Sequence, residues 1–485
     1  MTRIVPAAAF LALALAAAGC TVNPATGEQS FTAFMSEGDE IRIGRETHPK
    51  LLEEFGGAYD DPEIARYVAS IGGFLASTSE RPNLPFTFTV VDSPMVNAFA
   101  LPGGYVYVTR GLLALAGNEA ELAGVLAHEI GHVTARHAAQ RYSQAVLAQI
   151  GLAGLGLATG SGALADIAGA GAAIYLQGYS RDQEFEADTL GVRYLSRATY
   201  DTGAMSGFLE KLLASSRFDA ELAGRPGAAD AYDILSTHPR TLDRVERAVL
   251  AAGAAPVADP LVARDVYLDK IDGMLFGDDP EEGFVRGRRF LHPGLRFAFE
   301  VPPGFRLHNS AKRVVARGPE DAAIVFDAAP EPSRARMVDY LVYDWGRDAA
   351  LDEVAALDID GLEAATGRTR VQTDRGPLDL RLVAIRFDAD TIFRFIFATP
   401  PALTERLSLD LRRTTYSFRR LSAAEASSLR PQRLRVVTAR SGDTVADLAQ
   451  RLPFDDYREE RFRVLNGLGP ADRLVPGQRV KIVVE

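Results

Sequence analysis

The sequence predicts a multidomain chain: a mainly α-helical (α+β) domain first, an α+β sandwich in the middle and a small βααβ module at the end. The chain has 485 residues, long enough for about three domains, and 47% of them are hydrophobic, which can fill several cores. Stretches rich in Gly, Ala, Pro and Asp at 251–260 and 277–280 indicate boundaries. Helical spacing dominates before these boundaries, and short alternating strands follow them.

The most informative motif is His128 to His132, which reads His-Glu-Ile-Gly-His. Histidines four residues apart on a helix lie on one face, about 40° apart around its axis, so both rings can reach one metal ion. Glu129 lies about 100° round the helix, beside an open coordination position. Two neutral imidazoles, an open place for water and a carboxylate base are what zinc-dependent hydrolysis requires. The motif therefore predicts a zinc site, with unrelated histidines on a surface helix as the alternative.

The residues around the motif predict a helix that is anchored in a core. Asn118 can cap its N-terminus, and Glu121 can reach back to complete a capping box. Apolar residues then recur at helical spacing, namely Leu122, Val125, Leu126, Ile130 and Val133. The histidines are therefore expected on a helix with a buried face.

The third metal ligand has to come from elsewhere in the chain. A metzincin would have Gly and His at the positions of Ala135 and Ala138, so that pattern is absent from the sequence. His137 is out of register with it, and we expect this histidine to be a solvated helix residue.

A segment rich in carboxylates that begins at Ser180 is the better source of the third ligand. A capping box at Ser180 starts a second helix, on which Glu184 and Asp188 share one face. Glu184 would bind the metal, and Asp188 would accept the spare ring N–H of a ligand histidine, which we assign to His128. Glu186 is a rival ligand on another side of the helix, and a solvated acidic helix is the alternative for the whole segment.

Together these features resemble the gluzincin family of the CAAX prenyl endopeptidases, HtpX and the BepA-like periplasmic lipoproteins. Further stretches are similar to the motifs of that family, namely 97–104, 180–188 and His238-Pro239 with Arg244. The resemblance implies that His128, His132 and Glu184 bind one Zn²⁺ ion per chain. It also implies that Glu129 is the general base of peptide hydrolysis, in a zincin-type metalloprotease domain.

By the same resemblance His238 and Arg244 act in catalysis. An imidazole or guanidinium aimed at the scissile carbonyl would stabilise the oxyanion that develops there. His238 could also bind the zinc ion as a fourth ligand in a resting state. The alternative is a structural histidine that precedes Pro239 at the start of a helix.

The substrate-binding candidates are Asn97, Ala98, Phe99 and Ala100, which precede a strand predicted at 105–109. We interpret that strand as a sheet edge just before the motif helix, where an extended substrate peptide could add by main-chain hydrogen bonds. Such binding suits a protease that accepts many side chains. An ordinary buried hairpin is the alternative.

The first 19 residues have the pattern of a lipoprotein signal peptide. Arg3 precedes an Ala- and Leu-rich run that is too short to span a membrane. The run ends at Cys20 in a sequence that resembles a lipoprotein signal-peptidase site, so we expect lipidation of Cys20, the only cysteine. Thr21, and not Asp, follows the cysteine, which by resemblance to enterobacterial lipoprotein sorting points to the outer membrane. These features indicate a periplasmic protein with a lipid anchor in the outer membrane.

Charge and hydropathy exclude two further classes. The net charge of −11 gives no electrostatic support for nucleic-acid binding. The long apolar stretch 146–179 contains Asp166 and many glycines, which argue against a membrane span. We expect a buried or amphipathic helical pair there, covering the cleft, or a mobile lid.

The last part of the chain has the order strand, turn, helix, helix, turn, strand and resembles a LysM module. LysM modules bind glycans that contain N-acetylglucosamine, so the resemblance implies peptidoglycan as a partner. A charged stretch at 455–463 departs from the pattern, and a purely structural module is the alternative. The predicted boundaries are a signal peptide at 1–19, a metalloprotease domain at 20–255, a linker at 256–285, an α+β accessory domain at 286–420, a linker at 421–432 and the LysM-like module at 433–485.

The predicted function is that of a membrane-anchored zinc endopeptidase that hydrolyses misfolded or misassembled envelope proteins, the substrate class that the resemblance implies. One alternative is a chaperone or assembly factor whose zinc site is mostly closed. Another is a peptidoglycan-associated enzyme that cuts cell-wall peptides. The accessory domain has no cluster of His, Cys or paired carboxylates in its sequence, and a binding role is expected for it.

Overall fold

The computed structural model describes residues 20–154, 178–222, 238, 242–331, 333–374 and 376–485. The predicted signal peptide, Pro239 and most of 146–179 lie outside the described residues, and so does the side chain of Cys20. The chain forms two compact units: one contains residues up to Phe276 together with Arg433–Val484, and the other is Gly277–Gln432. Among the described helices, none combines the length and the apolar character needed to cross a membrane.

The first part of the chain is mainly helical. Its elements in chain order are β1 (Cys20–Val22), β2 (Gln29–Phe31), α1 (Glu37–Glu54), α2 (Pro62–Ser77), β3 (Thr87–Val91), β4 (Ala98–Leu101), β5 (Tyr105–Thr109), α3 (Arg110–Leu115), α4 (Glu119–Thr134), α5 (His137–Gly154), α6 (Arg181–Arg197), α7 (Ala204–Leu222), α8 (Leu242–Ala254), α9 (Arg264–Ile271) and β6 (Leu275–Phe276). Asn118 caps α4 through a hydrogen bond to the backbone N–H of Glu121, and Ser180 caps α6 in a capping box.

Helix α4, which carries the His-Glu-Ile-Gly-His motif, is buried along its whole length. Its carboxylates near the N-terminus have partners, as buried charges require. Tyr67 and Tyr200 donate hydrogen bonds to Glu119 at 2.6 and 2.7 Å. Lys211 forms an ion pair with Glu121 at 2.7 Å. A helix buried on all sides can hold polar side chains in a fixed geometry.

The small sheet next to α4 has the strand order β3-β5-β4. Strand β5 pairs with β3 in parallel and with β4 in antiparallel orientation, so β5 is the central strand. The expectation of a sheet edge at 105–109 is therefore wrong, and the outer strands are β3 and β4. The reason is that β5 pairs in parallel with β3, the strand that precedes β4. On its other side β5 pairs with β4 through the tight turn at Gly103 and Gly104, both with positive φ.

Part of the predicted linker 256–285 is packed into the core of the first unit. Helix α9 buries Tyr267, Leu268 and Ile271, and the Tyr267 hydroxyl donates a hydrogen bond to the carbonyl of Leu113 at 2.6 Å. The sequence gives a weak signal for this helix because its N-cap residue, Ala263, provides no capping side chain.

The second unit contains two antiparallel sheets. Its elements are β7 (Phe284–Arg286), β8 (Arg289–His292), β9 (Phe297–Glu300), β10 (Arg306–Ser310), β11 (Arg313–Arg317), β12 (Ala323–Ala328), α10 (Met337–Asp339), β13 (Asp352–Ile359), β14 (Leu362–Thr373), β15 (Gly376–Arg386), β16 (Ile392–Thr399), α11 (Pro401–Ser417), β17 (Arg419–Arg420) and α12 (Ala423–Ser428), with a π-helical turn at Tyr340–Trp345. The strand orders are β10-β11-β12-β16-β15-β14-β13 and β17-β9-β8-β7. Both sheets and α11 share one phenylalanine-rich core. The predicted linker 421–432 contains α12 and the buried side chain of Leu421, so it too is partly folded.

The C-terminal segment consists of β18 (Gln432–Thr438), α13 (Val445–Ala449), α14 (Arg458–Asn466) and β19 (Arg479–Val484). Strand β18 pairs with β19 on one side and with β6 on the other. Leu434, Leu465 and Val483 belong to the same core as α4. Lys481 donates hydrogen bonds to the carbonyls of residues 114–116, at the end of α3, at 2.6–3.1 Å. The predicted LysM-like module at 433–485 has a small core of its own, which includes Leu448, Phe462 and Ile482, and it also contributes to the core of the first unit.

Candidate metal centre

The two motif histidines and the carboxylate of α6 meet in the interior of the first unit. The Nε2 atoms of His128 and His132 are 3.0 Å apart. Glu184 approaches both rings, with its carboxylate oxygens 3.6 Å from Nε2 of His128 and 3.5 Å from Nε2 of His132. All three side chains are buried. The capped start of α6 places Glu184 opposite the motif face of α4.

His238 completes a group of four. Its Nδ1 lies 2.9 Å from an oxygen of Glu184 and 3.3 Å from Nε2 of His128. One donor atom from each of the four residues lies within 4.8 Å of all the others. Atoms bound to one tetrahedral zinc ion at about 2.0–2.1 Å are separated from each other by roughly 3.3 Å. The observed separations bracket that value, so this donor set fits a tetrahedral Zn²⁺ ion.

Two further side chains orient the ligands. Asp188 lies 2.9 Å from Nδ1 of His128, the ring atom that faces away from the other ligands. Arg244 donates two parallel hydrogen bonds to Asp188 at 2.8 and 2.7 Å and pairs with Glu184 at 2.6 Å. The expected role of Arg244 at the scissile carbonyl is not what this geometry shows. Its guanidinium is buried and bonded to these two carboxylates, so it holds them in place.

Glu129 lies beside the four-residue donor set and is not one of its members. One carboxylate oxygen is 3.3 Å from Nε2 of His238. The other oxygen, Oε2, has no hydrogen-bond partner among the described residues. Burial raises the pKa of Glu129 above its usual value. A buried carboxylate with one free oxygen next to a metal site is suited to accept a proton from water.

Electrostatics in the metal-free protein favour a bound cation. Burial works against the ionised form of Glu184, but His238 and Arg244 outweigh it and hold the pKa of Glu184 well below its usual value. Burial likewise opposes a charge on His128, yet hydrogen bonds to Asp188 and Glu184 raise its pKa to about 9. A proton thus occupies the place where a metal ion would supply positive charge.

His137 and Glu186 lie behind His132 instead of facing solvent or the metal. The side chain of His137 is 0% exposed, and its Nδ1 is 2.7 Å from Nδ1 of His132. Its other ring nitrogen is 3.1 Å from Glu186. The expectation of a solvated His137 is wrong because α4 ends at Thr134 and the chain reverses at Arg136, whose φ is 58°. Glu186 bonds to His137, which excludes it as the rival metal ligand in this arrangement.

Tyr179 is a site residue that the sequence did not indicate. Its ring stacks on His132 with the centroids 3.8 Å apart and the planes at 16°. Arg141 lies over the ring of Tyr179 at 4.4 Å. The tyrosine limits rotation of the His132 ring. No spacing or motif in the sequence marks it.

The four predicted substrate-binding residues lie in three different places, namely two cavities and a hydrophobic core. Asn97 and Ala98 line a mostly apolar cavity of about 50 Å³ beside His128 and Glu129. Ala100 lines a smaller cavity of about 10 Å³ on the His132 side. Phe99 packs into a separate core next to Phe55 and Tyr107, with ring centroids 4.9 Å from each, so a substrate contact by its ring is not what the structure shows.

Known proteins are similar to this chain in two regions, the one that carries the metal centre and the C-terminal segment. Residues 62–251 match Peptidase family M48, and residues 437–483 match the LysM domain. The chain is 33% identical over 248 residues to the Beta-barrel assembly-enhancing protease of Escherichia coli strain K12, covering 49% of this chain and 48% of that protein. It is 30% identical over 219 residues to the Mitochondrial metalloendopeptidase OMA1 of Schizosaccharomyces pombe, covering 43% and 59%. The chain therefore spans about half the length of the Escherichia coli relative that it matches.

Proposed function

We propose that this chain, which belongs to peptidase family M48 through residues 62–251 and carries a LysM domain at 437–483, is a zinc metalloendopeptidase. The observation that carries the proposal is the buried donor set of His128, His132, Glu184 and His238, with Glu129 beside it. The separations of its atoms suit one tetrahedral ion, and three of the four residues come from two capped helices.

His128, His132 and Glu184 would hold the zinc ion. When bound, zinc supplies a Lewis acid that makes water a nucleophile near neutral pH and polarises a carbonyl. Asp188 keeps the proton of the His128 ring on Nδ1, so that Nε2 presents its lone pair to the ion. Arg244 keeps Asp188 and Glu184 ionised and fixed.

Glu129 is the general base of the proposed reaction. It takes a proton from the attacking water and then gives it to the leaving amine as the peptide bond breaks. His238 Nδ1 lies 2.9 Å from Glu184, within the group of donor atoms, so His238 would have to withdraw to make room for water and a substrate carbonyl. Its ring N–H is then available to stabilise the developing oxyanion.

An extended peptide is the proposed substrate form. Strand β4 is an outer strand of its sheet, and Asn97 and Ala98 at its start line a cavity with His128 and Glu129. Its four residues are buried in this structure, so the groups that cover β4 would have to move before a peptide could add to it by main-chain hydrogen bonds. The apolar cavity lined by Asn97 and Ala98 has room for part of one side chain. Main-chain binding with small side-chain pockets suits an enzyme that acts on many unfolded chains.

Misfolded or misassembled envelope proteins are the proposed substrates. Support comes from the name of the Escherichia coli relative, the Beta-barrel assembly-enhancing protease, and from the LysM domain, whose proposed ligand is peptidoglycan. We place the protein in the periplasm on the outer membrane, held by a lipid on Cys20. Peptidoglycan binding and the lipid anchor would both keep the enzyme close to the wall and the outer membrane.

A second candidate function is a chaperone or assembly factor whose zinc site is mostly closed. The observation that favours it is the position of His238, which fills the fourth place of the donor set. Such a protein would contain one zinc ion and cleave little, and His238→Ala would increase its cleavage.

The test is cleavage of unfolded casein by the purified protein, with Glu129→Gln as the matched variant and zinc measured in both. The proposal predicts about one zinc per chain in both proteins and cleavage by the wild type alone. Full zinc occupancy with no cleavage by either protein would favour the closed-site function, and His238→Ala then decides. No zinc in either protein would contradict the site itself.

A further inference from the structure

A chain of buried hydrogen bonds leads from His132 to the N-terminal hairpin formed by β1 and β2. His132 Nδ1 is 2.7 Å from Nδ1 of His137, and His137 Nε2 is 3.1 Å from one oxygen of Glu186. The side-chain amide of Asn23 donates to the other oxygen of Glu186 at 2.7 Å. Asn23 is 3% exposed although it lies in the turn of the hairpin. The chain therefore joins three separate segments behind the metal site.

Only one arrangement of ring protons satisfies every member of this chain while His132 binds a metal. Metal binding through Nε2 requires that the His132 proton sits on Nδ1. That N–H then donates to Nδ1 of His137, which must be an acceptor. His137 carries its own proton on Nε2 and donates it to Glu186. The carboxylate accepts from His137 and from Asn23, so both nitrogens of each ring then have a partner.

The two motif histidines are held in different ways. His128 meets a carboxylate directly, because Asp188 contacts its Nδ1. His132 reaches its carboxylate, Glu186, through the additional imidazole of His137. Both carboxylates lie on α6, the helix that also carries Glu184. One helix thus fixes both histidines as well as providing a ligand.

The hairpin is itself held against α6. The Asn23 side chain accepts a hydrogen bond from the backbone N–H of Ala25 at 2.9 Å. Arg193 of α6 donates to the carbonyl of Ala25 at 3.0 Å. The position of the Asn23 amide is therefore set by the turn and by the same helix. This is more than a polar surface contact, since the amide reaches a partly buried carboxylate.

We propose that His137, Glu186 and Asn23 are positioning residues that fix the tautomer and orientation of His132 for metal binding, and that the β1–β2 hairpin is consequently part of the metal centre. The proposal rests on the proposed function, since it assumes that His132 is a zinc ligand. It adds a requirement that the motif does not contain: an intact N-terminal hairpin.

The test measures metal binding, not cleavage. Zinc affinity is determined by chelator competition, and the visible absorption of the Co²⁺-loaded protein reports ligand geometry. His137→Phe and Glu186→Gln are expected to weaken zinc binding about 10- to 100-fold, the range for groups that orient metal-bound histidines, and to change the Co²⁺ spectrum. Asn23→Ala should have a smaller effect in the same direction. His137→Asn keeps an acceptor near Nδ1 and should partly restore both properties.

Asp182→Asn is the matched control, because it removes one carboxylate from an exposed position on the same helix. Its zinc affinity and Co²⁺ spectrum should equal those of the wild type. Wild-type affinity and spectrum in Glu186→Gln and Asn23→Ala would overturn the proposal even if His137→Phe does not fold. An equal loss of zinc affinity in Asp182→Asn would also overturn the proposal, because removal of any carboxylate from the helix would then weaken zinc binding. Failure of the proposed function gives a different result, namely no zinc binding by the wild type.

Discussion

The protonation of His128 determines how the metal-free site responds to pH. Burial lowers the pKa of this imidazole, but its bonds to Asp188 and Glu184 prevail and raise the pKa to about 9. Below that pH a zinc ion has to displace a proton, and above it the ring is already neutral. Zinc affinity should therefore rise up to about tenfold per pH unit between pH 7 and pH 9 and then level off. Chelator competition at a series of pH values measures this, and a flat affinity across the range would contradict it.

Arg244 neutralises two buried carboxylates, and its loss should destabilise the fold. In Arg244→Met, Asp188 and Glu184 keep their burial without their partner. Breaking a buried ion pair in this way costs about 3–5 kcal/mol in the free energy of unfolding. Urea denaturation of the metal-free protein measures the change. Arg413→Met is the control, since Arg413 is exposed and its one ion pair with another described residue is with Asp410 on the same helix. Equal stability of the two variants would show that Arg244 is not a structural partner of the carboxylates.

The spacing of residues along two helices was sufficient to predict part of the candidate metal centre. The motif face of α4 identified His128, Glu129 and His132, and a one-turn spacing on α6 identified Glu184 and Asp188 as candidates. His137 could not be placed, because its direction depends on a chain reversal with a left-handed residue at Arg136. Tyr179 could not be found either, since its contact with His132 joins segments that are distant in sequence.

The approach of α4 and α6 depends on glycine. A Cβ atom on Gly131 would lie 3.0 Å from the carbonyl oxygen of Ala187 and 3.3 Å from Cβ of Leu190, so neither neighbour can move without moving α6. Gly131→Ala should push Glu184 away from the two histidines and lower zinc affinity at least about tenfold, as for other losses of ligand orientation.

Gly207→Ala is the control for this prediction. Gly207 lies within α7, and a Cβ atom there would meet no atom within 4 Å. That variant should stabilise the protein by about 0.5–1 kcal/mol through helix propensity and leave zinc binding unchanged. Unchanged zinc affinity in Gly131→Ala would show that the two helices can separate without disturbing the ligands.

Capping residues in the sequence predicted the helix starts correctly, whereas the neighbours of β5 in its sheet were not predicted. Asn118 and Ser180 mark the starts of α4 and α6 in the sequence and in the structure. The position of β5 inside its sheet depends on pairing with β3, which no local pattern contains. Helix α9 was missed because Ala263 gives it no capping side chain. Local sequence patterns therefore predict where a helix starts, whereas the pairing of strands depends on the fold of the whole chain.

The C-terminal segment that matches the LysM domain packs against the part of the first unit that carries the metal centre. Lys481 is 1% exposed, and its ammonium is bonded to three carbonyls at the end of α3. Lys481→Met would leave these carbonyls buried without a donor, which costs about 1–3 kcal/mol or more. Thermal denaturation should show the loss, and Lys50→Met, at an exposed position, should show none. Equal melting temperatures of the two variants would contradict a structural role for the segment.

Domain boundaries were the least predictable feature at the scale of the whole molecule. The matches to peptidase family M48 and to the LysM domain confirm the resemblances predicted from the motifs. The segment 433–485 has its own complete pattern of elements and a small core of its own. Its apolar residues Leu434 and Val483 nevertheless pack with the core around α4. Composition at a boundary cannot reveal such sharing, because it depends on which surfaces meet after folding.

The most direct test of the metal centre is X-ray absorption spectroscopy of the zinc-loaded Glu129→Gln protein, which retains the ligands and avoids self-cleavage. Four nitrogen and oxygen ligands at about 2.0–2.1 Å are expected, with imidazole scattering that decreases in His238→Ala. A sulfur ligand at about 2.3 Å, or a shell of oxygen atoms without imidazole, would contradict it.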